Sequence, residues 1–186
     1  MISIIIPTYN NDTLKDAIES ILKQKISHLE IIIIDDSVDN KIQQTIQHIN
    51  HPDIKYYKNT KNLGATLSRT RGIKIAQGDY IGFLDDDDLM INNNLEKKLK
   101  KINEGEIDFV FCDYIINSTV ENIIIKKNLY QYEKDFKKHI LYGPGPFLQC
   151  CLFRRAFILQ YIDSFDSKSE PSEDWNFFIE LSKYNP

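Results

Sequence analysis

Two short runs, "ISIIIP" (Ile2–Pro7) and "EIIIIDDS" (Glu30–Ser37), are almost wholly apolar and rich in β-branched residues. Such residues favour strands, and a strand that is apolar on both faces must be covered from both sides. This points away from a one-sided antiparallel sheet and towards a central parallel sheet with helices above and below it. The intervening segment fits that plan. Between Leu14 and Leu22 the apolar residues fall at 14, 17, 18, 21 and 22, one face of a helix, with Asn11 or Asp12 placed to cap its start.

The alternation continues along the chain. Ile42, Ile46 and Ile49 share a helix face after Asp39, followed by a strand "IKYY", a helix over Ala65–Ala76 and a strand "YIGFL". A helix over Asn92–Asn103 and a strand "IDFVFCDY" complete a succession of βα units over residues 1–115. The expected class is α/β: an open, mostly parallel, Rossmann-like sheet flanked by helices. Beyond Tyr114, "ENIIIKK" reads as a further strand, "GPGP" (Gly143–Pro146) as a rigid turn and "FLQCCLFRRAFI" as an apolar segment, before a helix near Glu173. No linker interrupts the chain, so a single domain is expected, with residues 116–186 packed on the edge of the same sheet.

Composition narrows the function classes. Of 186 residues, 42% are apolar and 27% charged, as in ordinary soluble domains. No apolar run approaches the ~20 residues of a membrane span, and Met1 leads directly into "ISIII" without a basic leader. The expected location is therefore cytoplasmic. A formal charge of −4 disfavours nucleic acid as the main partner. Cys112, Cys150 and Cys151 form no CxxC pair and read as small buried residues. In "EKKLKK" (Glu96–Lys101) a helix would put Leu95, Leu99 and Ile102 on one side and lysines on the other. That is a solvated face, or a peripheral contact with an anionic membrane at the inner face.

In open α/β sheets, ligands bind beyond the carboxyl ends of the strands. Three polar segments occupy such ends: "PTYN" with Pro7 and Tyr9, "DDS" with Asp35 and Asp36, and the run Asp85–Asp88. Tyr9 offers a face for a base and Asp36 an acceptor for a base N–H, although an acidic pair here also serves as a helix cap. If the acidic run is extended, Asp85 and Asp87 face one side, leaving Asp88 to cap the following turn. Carboxylates without histidine or thiolate suit Mg²⁺ or Mn²⁺ bridging to substrate phosphates. Arg69 and Arg71 precede that strand on a helix whose polar side is either a solvated surface or within reach of an anionic phosphate. Glu173 and Asp174 open the last helix, where carboxylates suit the helix dipole.

Taken together, "SIIIPTYN", "EIIIIDDS", "NLG…RTRGIKIAQGDYIGFLDDDD" and "FD…SEDW" resemble, in order and approximate spacing, the inverting nucleotide-sugar glycosyltransferases with the GT-A fold (family 2 type). The resemblance is densest over residues 1–90 and resumes at 147–182. It implies a nucleotide-diphospho-sugar donor, most often a UDP-sugar, with Pro7 and Tyr9 near the base and Asp36 hydrogen-bonded to it. Arg69 lies close to the donor, Asp85 or Asp86 contacts ribose or sugar, Asp87 ligates Mn²⁺ or Mg²⁺, and Asp174 is the general base. It also implies a hydroxyl acceptor on a glycan or lipid-linked glycan, in bacterial surface glycan synthesis. The QxxRW motif of processive synthases is missing, so single-sugar transfer is expected. Two features depart from the family: Asp163-Ser164 stand before Phe165-Asp166 where glycines are usual, and the chain stops at "KYNP" where members continue, as in a truncated core. The alternatives are a haloacid-dehalogenase-like phosphatase, since "FLDDDDL" also fits a strand followed by DxD, and an inactive donor-binding homologue.

Overall fold

The computed structural model describes residues 1–105, 107–118, 123–143, 145–165 and 172–183. Pro144 of "GPGP" and Asp166 of the "FD" pair lie outside them. The strands are β1 (Ile2–Thr8), β2 (Leu29–Asp35), β3 (Ile54–Lys58), β4 (Tyr80–Phe83), β5 (Phe109–Phe111), β6 (Tyr114–Ser118), β7 (Ile123–Lys127) and β8 (Cys151–Arg154). The main sheet has six strands in the order β3-β2-β1-β4-β8-β5. β1 pairs in parallel with both β2 and β4, and β3 in parallel with β2.

The isoleucine runs explain this arrangement. Side chains alternate across a strand, so Ile5, Ile32 and Ile34 join one core layer with Phe83, Phe153, Phe177 and Phe178. Ile4, Ile6, Ile31 and Ile33 join the opposite layer with Leu14, Ile18, Ile21 and Ile102. Helices α1 (Leu14–Leu22), α2 (Lys41–Ile49), α3 (Ala65–Ile75) and α4 (Asn94–Glu104) fall within a few residues of the sequence reading. α3 lies so close to β1 that a Cβ added at Gly72 would stand 2.4 Å from Ile5 Cγ2. The remaining helices are α5 (Tyr130–Lys134), α6 (Phe136–Tyr142), α7 (Arg155–Ile158) and α8 (Glu173–Ser182).

Several expectations are corrected. "IDFVFCDY" is not one strand: β5 ends at Phe111, the Asp113 carboxylate accepts from the Leu129 N–H at 2.8 Å, and β6 starts afresh in a two-stranded antiparallel ribbon with β7. The second half does not pack on the sheet's edge. β8 inserts between β4 and β5, antiparallel to both. On α4 the lysines are not all on the outer side: Lys98 falls three residues after Leu95 and four before Ile102, on their face, and is 5% exposed. Neither Asn11 nor Asp12 caps α1. Thr13 holds the cap position, and Asn11 Oδ1 instead accepts from the Thr13 N–H at 3.1 Å. Among the described residues no helix is long and apolar enough to cross a membrane.

Candidate active site

The polar ends of β1, β2 and β4 meet because these neighbouring strands run the same way. They open onto a crevice of about 320 Å³ lined by Pro7, Thr8, Tyr9, Asp36, Asn62, Gly64, Ala65, Ser68, Arg69, Asp85, Asp86 and Asp87. Asn10 adopts the left-handed conformation (φ 51°), which asparagine tolerates, and its N–H donates to Ser37 Oγ at 2.9 Å. This tie joins the loops after β1 and β2 and leaves Tyr9 on the rim, 53% exposed.

Asp35 and Asp36 divide their duties. Asp35 is fully buried and accepts from the Ser37 N–H at 2.8 Å and Tyr56 Oη at 2.6 Å, a structural role. Asp36 accepts from Asn59 Nδ2 at 2.7 Å, from the Leu63 N–H at 2.9 Å to each oxygen, and from the Gly64 N–H at 2.7 Å. It thereby folds the loop before α3 into the crevice wall. Gly64, at φ 82°, supplies the backbone conformation this requires.

The acidic run is a turn, not an extended strand, closed by the Asp88 N–H on the Asp85 carbonyl at 3.2 Å. Strict alternation therefore fails, and Asp85, Asp86 and Asp87 all line the crevice. Asp85 Oδ1 accepts from Arg69 Nη2 at 2.6 Å and its Oδ2 from Gln149 Nε2 at 2.5 Å. Asp86 accepts from Asn11 Nδ2 at 2.8 Å and the Tyr9 N–H at 3.3 Å, pinning the β1 loop to the acidic turn. Asp87 is exposed and has no hydrogen bond or ion pair among the described residues. Among the described residues no backbone N–H donates to the Asp88 carboxylate, so the expected cap on the following turn is not made. Its carboxylate accepts from Gln149 Nε2 at 3.2 Å.

Arg69, 5% exposed, links the two acidic motifs: its Nη1 donates to Glu173 Oε1 at 3.0 Å while Nη2 holds Asp85. Burial works against its charge, but Asp85, Asp174 and Glu173 outweigh that and keep it firmly protonated. Asp174 Oδ2 accepts from the Leu148 N–H at 2.9 Å, and its buried Oδ1 has no partner among the described residues. Burial pushes the Asp174 carboxyl up from 3.8 to about 6; Arg69 and the Leu148 N–H pull it down, while the Asp85 and Glu173 charges add to the rise. Thr8 Oγ1, Arg69 Nε and Gln149 Oε1 are likewise buried and unpaired. Native interiors rarely leave such atoms unsatisfied; Thr8 and Arg69 line the crevice, which marks it as a place for a polar ligand, while Asp174 and Gln149 lie behind its lining, next to Arg69 and Asp85.

Two residues near the motifs belong to the scaffold. Arg71 turns away to β3, donating to the Lys58 carbonyl at 2.8 Å and Asn59 Oδ1 at 2.5 Å. Trp175 packs against the core and donates from Nε1 to the Ile140 carbonyl at 2.6 Å, a structural tryptophan. Gln149, which bridges Asp85 and Asp88, was missed; one amide inside an apolar segment carries no motif. As for a divalent ion, no three of His, Cys, Asp and Glu form a ready-made cage among the described residues. The free carboxylate of Asp87 nonetheless fits an ion bound by one or two carboxylates and completed by substrate phosphates.

The sequence profile of "Glycosyl transferase family 2" matches residues 3–162. The chain belongs to that family. It is 30% identical over 191 aligned positions to an uncharacterized glycosyltransferase of Methanocaldococcus jannaschii, covering 96% of this chain and 63% of that protein. It is 33% identical over 120 positions to the UDP-Glc:alpha-D-GlcNAc-diphosphoundecaprenol beta-1,3-glucosyltransferase of Escherichia coli, covering 63% and 47%. The chain thus spans less than two thirds of the length of the curated relatives it matches first. Its fold is of the GT-A type. Staphylococcus aureus TarS, solved with UDP-GlcNAc, superposes with a TM-score of 0.70 at 23% identity, over 95% of this chain and 52% of that one. A mannosyltransferase of Pyrobaculum calidifontis, solved with GDP-Man and Mn²⁺, superposes at 0.67 and 17%, over 95% and 50%. Nothing found supports the phosphatase alternative.

Proposed function

We propose that this chain is the single-domain catalytic core of an inverting glycosyltransferase that moves one sugar from a UDP-sugar to a hydroxyl of a lipid-linked glycan. Its donor half is residues 1–115 and its acceptor half 116–186. The observation that carries the reading is Asp174: a carboxylate held by one oxygen, with the other buried and unpaired, and a midpoint raised to about 6, within reach of base chemistry at neutral pH. Support for a UDP donor and a lipid-linked acceptor comes from the names of similar proteins.

In this reading the uracil stacks on Tyr9 beside Pro7, and its N–H meets Asp36 as the bifurcated Leu63 contact yields one oxygen. Asp85 and Asp86 face the ribose and sugar. Arg69 holds Asp85 in place and offers positive charge beside the diphosphate. Asp87 would hold Mn²⁺ or Mg²⁺, which would supply a Lewis acid for the charge on the diphosphate. Asp174 Oδ1 accepts the proton of the acceptor hydroxyl as its oxygen bonds to the anomeric carbon and the bond to the diphosphate breaks, releasing UDP with inversion. In this reading the protein works at the cytoplasmic face of a membrane, where it would meet a lipid-linked acceptor of the kind named for the Escherichia coli relative.

The test is release of UDP from UDP-glucose or UDP-N-acetylglucosamine, in the presence of acceptor, by wild type and Asp174→Asn. The variant should bind UDP as wild type does and lose about 10²–10⁴-fold in turnover. Turnover retained by the variant refutes the assignment of the base.

A further inference from the structure

Cys112 and Cys150 lie opposite each other where the antiparallel β5–β8 ladder ends. Phe109 pairs with Phe153, Val110 with Leu152 and Phe111 with Cys151, and the Cys112 N–H then donates to the Cys150 carbonyl at 3.1 Å. Residues so placed have Cα atoms about 5.5 Å apart, inside the roughly 4.4–6.8 Å range that a disulfide spans. Both thiols are free, and each acts on the other's titration, as neighbouring sulfurs do.

Their surroundings differ. Cys112 is half-buried and reaches solvent, whereas Cys150 is buried. Asn94 Nδ2 donates to Cys112 Sγ at 3.4 Å, and the charge of the buried Lys98 side chain acts on the same sulfur. Lys98 has no carboxylate partner among the described residues, so its ammonium is best balanced by a thiolate at Cys112. The neighbouring Cys150 thiol, then Lys98 and Asn94, hold the Cys112 thiol below its ordinary value, and Cys112 in turn pushes Cys150 up. One sulfur is poised as a nucleophile and the other as its resolving thiol.

We propose that Cys112 and Cys150 form an oxidation site for small peroxides, which closes to a reversible disulfide and thereby alters the crevice. The Cys112 thiolate attacks one peroxide oxygen; the O–O bond breaks, and with one proton taken up the products are a sulfenic acid and water. The Cys150 thiol then displaces the sulfenic hydroxyl as a second water, forming the S–S bond. Two electrons pass from the two sulfurs to the peroxide. The consequence for the crevice follows from chain connectivity. Leu148 and Gln149, the two residues before Cys150, hold Asp174 and the pair Asp85 and Asp88. Pulling Cys150 towards Cys112 shifts both contacts. This coupling, unlike the disulfide itself, rests on the crevice being the donor site.

The test treats the reduced protein with hydrogen peroxide, alkylates the remaining thiols and maps peptides by mass spectrometry, with UDP affinity in Mn²⁺ measured on the same samples. The expected result is an intramolecular Cys112–Cys150 link, reversed by dithiothreitol, absent from Cys112→Ser and Cys150→Ser and retained by Cys151→Ser. UDP affinity should fall about tenfold on oxidation, the worth of one hydrogen bond to a charged group. Cys112→Ser, at the half-buried position, should resist that fall while keeping the affinity of the reduced protein. A Cys150–Cys151 link, an intermolecular link, a sulfinate at Cys112 without a link, or unreacted thiols would each overturn the site. A link with unchanged UDP affinity overturns the coupling. If the reduced protein binds no UDP, the donor reading fails while the peptide map still decides the disulfide.

Discussion

Replacing Asp174 with asparagine should stabilise the protein in alkaline solution and leave it unchanged in acid. The native carboxyl titrates at about 6 instead of 3.8. The folded chain therefore binds more protons than the unfolded chain between those values, and stability falls as pH rises through that window. Above it, the ionised Asp174 costs the fold up to about 3 kcal/mol, from 1.36 kcal/mol for each pH unit between the two midpoints. Partial solvent access trims the observable effect towards about 1–2 kcal/mol. The opposing pulls of Arg69 and the Leu148 N–H are already contained in that midpoint. Asparagine mimics the protonated acid, so urea unfolding of wild type and Asp174→Asn should agree at pH 4 and diverge at pH 8, with the variant more stable. Equal stability at pH 8, or a less stable variant there, refutes the burial argument and with it the physical reason for treating Asp174 as a tuned base.

Three further outcomes rest on the same geometry. Arg69→Met leaves Asp85, Glu173 and Asp174 without their shared cation; denaturant unfolding should register a loss of about 3 kcal/mol, the cost of breaking a buried pair from one side. Gly72→Ala forces a methyl against Ile5 Cγ2 and should destabilise by about 1–3 kcal/mol in the same assay. Tyr9→Ala should leave unfolding unchanged, because the residue is 53% exposed, but weaken UDP binding about threefold to tenfold through lost stacking, as read by calorimetry.

Local features were legible in the chain. The isoleucine runs specify strands buried on both faces, and the three acidic or aromatic strand ends converge because the parallel units repeat without interruption. Distant relations were not legible. The placing of β8 between β4 and β5 depends on pairing with Gly82 and Val110, far from Leu152 in sequence, and an apolar stretch does not disclose its direction. Nor do the residues around Arg69 reveal that it meets Glu173, 104 positions away. The four-aspartate run misled for a related reason: alternation assumes extended backbone, and the turn from Asp85 to Asp88 substitutes a hydrogen-bonded loop that brings three carboxylates to one wall. Lys98 was misread as solvated because the charge pattern of α4 conceals its place on the same face as Leu95 and Ile102.

The proposed function depends on the crevice beyond β1, β2 and β4 being a metal-assisted nucleoside-diphosphate site, and calorimetric titration of UDP into wild type and Asp87→Ala, with and without Mn²⁺, tests it most directly. Wild type should bind UDP at least tenfold more tightly with Mn²⁺ than without, a gain of about 1.4 kcal/mol, and Asp87→Ala should lose that gain while keeping the metal-free affinity. Equal Mn²⁺-dependent affinity in the two proteins, or no UDP binding by wild type under either condition, would contradict it.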